Sequence, residues 1–168
     1  GGVPAPRHGA VAAFTLASGL LAEGVPVGVG TVPTDENWTP VGTGPAQRRR
    51  LREQLAGDDA VPWLVPHDAP GVPAIVAGLT ARLAPDVQVV FVSPLCDDES
   101  AAIARRLDAA GHSVTVVSPD CTDSGSVTGA YGRLDRWRRL SALRGTGLPV
   151  TDWDPADGIE GVVRRVQH

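Results

Sequence analysis

Helices and strands that alternate along the chain predict an α/β fold, a mostly parallel sheet in three layers with helices on both faces. Three observations predict it. The run Val87–Val92, a helical pattern and the run Val114–Val117 follow one another with a short crossover, the mark of two parallel neighbours. Aromatic residues are only 4% of the sequence, so Val, Leu, Ile and Ala must build the core, as in parallel sheets covered by helices. A length of 168 residues suits one domain over 1–168, which hides roughly 70% of its unfolded surface.

The elements follow in order. From His8 to Glu23, Val11, Phe14, Thr15, Ser18 and Leu21 recur every three to four residues, widened by Leu16 and Leu20; this predicts a helix stopped by Gly24. Val25–Val32 predicts a buried strand whose Gly28 and Gly30 let a neighbour pack closely. After the polar turn Thr34-Asp35-Glu36-Asn37, the segment Trp38–Val41 is expected to pair with it antiparallel. Pro45 opens a helix to Ala56 with Leu51 and Leu55 on one face. Asp58–Asp68, interrupted by Pro62 and Pro66, reads as a loop or a brief strand. Val72, Ile75, Val76, Leu79 and Leu83 mark a helix that ends before Pro85. Val87–Val92, apolar on both faces, is expected at the centre of the sheet. A helix opening at Asp97-Asp98-Glu99 carries Ile103 and Leu107 inward and stops at Gly111, and the strand Val114–Val117 follows. Asp120–Gly132 reads as a long surface loop, Leu134, Trp137, Leu140, Ser141 and Arg144 as a helix, Leu148–Val150 with Trp153 as a last strand, and Ile159–Val166 as a closing helix.

Charge and composition exclude several function classes. A net charge of −4 opposes binding to phosphate backbones, so no nucleic-acid partner is expected. No apolar run approaches the roughly 20 residues that cross a bilayer, and two cysteines cannot build a disulfide framework; both predict a cytoplasmic chain. Every basic residue is arginine, a coding bias more than a designed surface. Arg48-Arg49-Arg50 with Arg52, and Arg133, Arg136, Arg138 and Arg139, read as solvated helix faces that could also dock an acidic partner. Gly42-Thr43-Gly44 lacks the Gly-Lys-Ser/Thr ending of a phosphate loop and reads as helix initiation.

Candidate chemistry gathers where strands end. Asp97, Asp98 and Glu99 offer hard oxygen ligands for Mg²⁺, although helix capping by Asp97 explains them more simply. Asp120 and Asp123 end the neighbouring strand, so Asp97 and Asp120 are the candidate metal ligands. Cys96 and Cys121 close adjacent strands and read as buried, unpaired thiols, with a redox pair as the alternative. His8, His67, His112 and His168 are scattered and match no nucleophile motif, which argues against a catalytic triad.

The stretches Val89-Val90-Phe91-Val92-Ser93-Pro94-Leu95-Cys96-Asp97-Asp98, Gly111-His112-Ser113-Val114-Thr115-Val116 and Ser118-Pro119-Asp120 resemble the domain of unknown function 58 family, which carries a von Willebrand factor A-like domain. Leu134–Asp154 looks like that family's closing helix and strand, particularly its archaeal halophile branch, and Val27–Gly30 with Pro40–Gly44 fits the strand pair before it. The resemblance implies a Rossmann-like sheet and a metal site built from an Asp-x-Ser-x-Ser loop, a Thr and an Asp. The chain opens past that loop, offers Asp68 and no Thr between His67 and Pro73, and keeps only Asp97. It is therefore expected to be the C-terminal part of a longer protein, with its first strand missing and its metal site degenerate; whether that parent carries an upstream membrane anchor stays open. No cofactor is expected.

Two functions follow as expectations. The first is a non-catalytic protein-interaction module whose Asp97, Asp98, Asp120 and Asp123 meet a protein partner, which the resemblance implies is a MoxR-type AAA ATPase. The alternative is a small hydrolase or nucleotide-binding protein that uses the acidic edge with a divalent ion.

Overall fold

A computed structural model describes residues 5–32, 37–56, 69–122 and 127–167. The expected segment Asp58–Asp68 and most of the turn Thr34–Asn37 lie outside the described residues. The elements run α1 (Ala5–Ala22), β1 (Val27–Gly30), β2 (Trp38–Gly42), α2 (Gly44–Ala56), α3 (Val72–Arg82), β3 (Gln88–Val92), α4 (Asp98–Ala109), β4 (Ser113–Pro119), α5 (Val127–Gly145), β5 (Val150–Trp153) and α6 (Glu160–Gln167). The fold is mixed α/β. The chain divides into two compact units, Gly1–Pro70 with Gly158–His168, and Gly71–Asp157.

In the first unit, β1 and β2 form an antiparallel pair on which α1 and α2 pack, and α6 packs on α1. Gly24 takes φ 78°, the left-handed conformation that ends a helix, and its amide bonds Leu21 O at 3.0 Å. Gly28 is needed for close approach, because a methyl there would lie 2.7 Å from Thr39 O. Both strands are half-buried and not the covered ladder expected of Val25–Val32; a two-stranded ribbon has no neighbour beyond it to exclude water. The α1 face also differs: Ala12, Leu16 and Ala17 are buried while Val11 is exposed, so the inward stripe is turned about one residue from the expected one. Small alanines face inward because they let the neighbouring helices approach.

From α2 two glutamines reach the ribbon. Gln47 Nε2 donates to Val27 O and to Pro40 O, both at 2.8 Å, and Gln54 Nε2 donates to Asn37 O at 2.8 Å while its Oε1 accepts from the Thr39 hydroxyl. Gln47 is buried beside Leu51 and Leu55, the two residues expected on that face. The Arg48–Arg50 run is exposed, as read from the sequence, and Arg52 stacks 5.7 Å from the Phe14 ring.

In the second unit β3, β4 and β5 form a parallel sheet in that order. Register runs from Gln88↔Ser113 to Val92↔Val117, and from Val116↔Val150 to Pro119↔Trp153. Among the described strands β4, not β3, holds the centre. Its Val114–Pro119 are buried without a break, whereas Val89–Val92 of β3 stay half-exposed because only one neighbour flanks them. Ile103 and Leu107 of α4 are buried as expected, together with Ala101 and Ala104, whereas of the expected α3 face Ile75 is buried and Val72, Val76, Leu79 and Leu83 are half-buried.

The last helix of this unit departs most from expectation. Residues 127–132 belong to α5 and not to a loop. Among its described side chains Arg136, Leu140 and Leu143 are buried, spaced four and three apart, while Leu134 and Trp137 face out. An arginine holds a position the apolar pattern would give to a hydrophobe, so the stripe turns toward it.

Candidate functional site

Polar side chains converge at the C-terminal ends of β3, β4 and β5, where a parallel sheet presents its loops. Arg136 is the hub. Its side chain is 7% exposed, and burial of a guanidinium costs several kcal/mol unless its hydrogens find acceptors. Nη2 donates to Ser118 O and Ser118 Oγ at 3.0 Å each and to Asp152 Oδ1 at 2.6 Å, and Nη1 lies 3.8 Å from Asp120 Oδ2. One cation thereby ties α5 to the ends of β4 and β5.

Asp120 follows β4 directly, its amide bonded to Trp153 O at 2.8 Å. Its Oδ1 accepts from the Thr122 amide at 2.9 Å and from the Thr122 hydroxyl at 2.6 Å. Partial burial opposes its ionisation, but the Thr122 bonds and the charges of Arg136 and Arg133 outweigh that, and its carboxyl titrates below the ordinary range.

On the neighbouring strand end, Asp97 caps α4 by accepting from Ser100 N at 2.7 Å, the role its sequence position favours. Asp98 accepts from Arg139 Nε at 2.7 Å across an exposed pair. Arg139 Nη1 also donates to Leu95 O at 3.3 Å. Leu95 is fully buried at φ 55°, a left-handed conformation costly for a branched side chain; it is held by that bond and by its own amide, which donates to Ser93 Oγ at 3.1 Å.

The structure thus places Asp97, Asp98 and Asp120 at one sheet edge, as the sequence leads one to expect, and gives each a protein partner. Asp123 lies outside the described residues. Among the described residues no group of three or more His, Cys, Asp or Glu side chains is placed to hold a metal ion. A cation joining Asp120 would face the buried Arg136 charge, which favours protein donors over a divalent ion there. The cysteines are free thiols but not the buried ones expected: Cys96 is exposed and Cys121 half-buried, because both sit on loops that leave the sheet. His112 is buried between α4 and β4 with its amide on Leu107 O at 3.2 Å; His8, His67 and His168 have no described side chains.

Sequence reading missed Arg136, Arg139, Ser118 and Asp152. It took the first two as solvated, yet Arg136 precedes Leu140 and Leu143 at helical spacing, a signal that it shares their buried face.

No protein-family model matches this chain, and neither a curated protein nor a solved structure matches it. The site's chemistry therefore rests on its own residues. Among the described residues no helix is long and apolar enough to cross a membrane. An open groove of about 450 Å³ runs along β2 and α2, lined in part by Trp38, Val41, Gln47 and Glu53, and no set of reactive side chains converges on it.

Proposed function

We propose that this chain is a non-catalytic protein-interaction module of the von Willebrand factor A-like type, an adaptor for a MoxR-type AAA ATPase in the cytoplasm. The observation that carries the reading is an exposed apolar stripe on α5, where Tyr131 is 69%, Leu134 45% and Trp137 61% exposed. At three-residue spacing these side chains cover about a third of the helix circumference. Large aromatic groups left in water are the usual anchors of protein interfaces, since each offers wide contact area at low entropic cost. Asp97, Asp98 and Asp120 at the sheet's C-terminal edge, with Asp123 next to them in sequence, would supply polar contacts to the same partner.

The parallel β3-β4-β5 sheet, with β4 buried at six successive positions, supports an A-like, three-layer architecture. The rival reading, a metal-dependent hydrolase or nucleotide-binding protein, would need carboxylates that Arg136, Arg139 and Ser100 already engage.

Titrating a purified MoxR-type AAA ATPase against the chain and against its Tyr131→Ser/Trp137→Ser variant tests the proposal. Binding by the native chain and at least a tenfold loss in the variant are expected, with the melting temperature nearly unchanged because both side chains are exposed. Equal affinity of the two proteins would overturn it.

A further inference from the structure

The two strand ends repeat one pattern, Ser93-Pro94-Leu95-Cys96 just past β3 and Ser118-Pro119-Asp120-Cys121 across the end of β4. The β3–β4 register pairs Gln88 with Ser113 and Val92 with Val117, and the bond from Ser93 N to Val117 O at 3.1 Å carries the same register one rung further, to Ser93 and Ser118. Cys96 and Cys121 each stand three residues beyond that rung on adjacent parallel chains, and although the left-handed Leu95 turns the first chain there, the two lie near enough for Cys96 to act electrostatically on the Cys121 thiol. At the Ser93–Ser118 rung the two chains leave the ladder about 4.8 Å apart, a spacing that a disulfide can span. Both cysteines are free, Cys96 exposed to a reagent and Cys121 half-buried.

We infer that Cys96 and Cys121 form an oxidisable dithiol that closes to an intramolecular disulfide by exchange with a low-molecular-weight disulfide. In the first step the Cys96 thiolate attacks one sulfur of the reagent, forming a mixed disulfide and releasing one small thiol. In the second the Cys121 thiolate attacks Cys96 Sγ, and the second small thiol leaves. The reagent disulfide is reduced to two thiols, which take up the two protons the cysteines lose, and the protein sulfurs are oxidised to one bond.

The surroundings set the pace of closure. Burial first, then the charges of Cys96 and Asp120, push the Cys121 thiol up to about 11 against the opposing pull of Arg136. Burial and Asp97 raise Cys96 as well, against Arg136 and Arg139. Exchange needs the thiolate, so closure is slow at neutral pH and quickens in alkali. The bond would join the loop bearing Asp97 to the loop bearing Asp120, which makes it a covalent lock on the sheet's C-terminal edge.

Incubating the full chain with oxidised glutathione, followed by free-thiol titration, intact mass and a non-reducing digest, tests this. Both thiols should disappear from a monomer lighter by two hydrogens, with a Cys96–Cys121 peptide pair, while Cys96→Ser and Cys121→Ser should each stop at a single glutathione adduct. The closing rate should rise about tenfold per pH unit from neutrality toward pH 10. Glutathione adducts that persist on the native chain, links only between molecules, or a flat pH profile would overturn the inference.

Discussion

Each unit of this protein is fastened by side chains that reach from a helix to strands, but the fasteners differ in kind. In the first unit Gln47 and Gln54 of α2 hold the carbonyls of β1 and β2 with neutral amides. In the second, Arg136 and Arg139 of α5 hold strand ends through ionised partners. Both solutions satisfy backbone acceptors that would otherwise be left unbonded. A neutral clamp is indifferent to pH and salt, whereas a charged clamp carries the protonation state of its carboxylates into the geometry of the edge. The difference marks the second unit's strand ends as the responsive part of the molecule.

The largest effect is expected at Arg136. Arg136→Met removes a buried cation and leaves Ser118 O, Asp120 and Asp152 without it, and should destabilise the second unit by about 3 kcal/mol in chemical denaturation. The variant should also change the acid limb. Asp120 has a lowered folded pKa, so its stabilisation is present above the ordinary carboxylate pKa and is lost as pH falls through the folded value. Removing Arg136 should shrink that loss below about pH 4. An acid limb that keeps its full depth would show that Arg136 does not hold Asp120.

A smaller effect is expected at Gln47. Gln47→Leu strands Val27 O and Pro40 O beside a side chain that can no longer donate, and should cost about 2 kcal/mol in the first unit. Because the clamp is neutral, that cost should be the same at pH 4 and pH 8. A pH-dependent cost would break the contrast between the two units.

The regular elements were legible because their residues follow local rules: Asp97 sits where a capping carboxylate belongs, and Ile103 and Leu107 repeat at helical spacing. The parallel pairing of the two valine runs was also legible, from the short crossover between them. Their order was not. Val89–Val92 and Val114–Val117 are both largely β-branched, apolar runs, and the arrival of β5 beside β4 decides which is central. The start of α5 was hidden because the Ser, Thr and Gly residues of 122–132 resemble a loop, while tertiary packing of Arg136, Leu140 and Leu143 sustains a helix over 127–145. The site was half legible. Its carboxylates stand out in the sequence, but the arginines that engage them are 16 to 41 residues away in the chain, a pairing no local pattern displays.

The central claim is that the strand-end carboxylates serve arginines and a helix cap, leaving a surface for a protein partner. The most direct test is a thermal melt of the native chain with and without millimolar Mg²⁺, since a ligand that binds only the folded state must raise its stability. Superimposable melts are expected. A rise of several degrees that is lost in Asp97→Ala or Asp120→Ala would contradict it and assign those carboxylates to a cation.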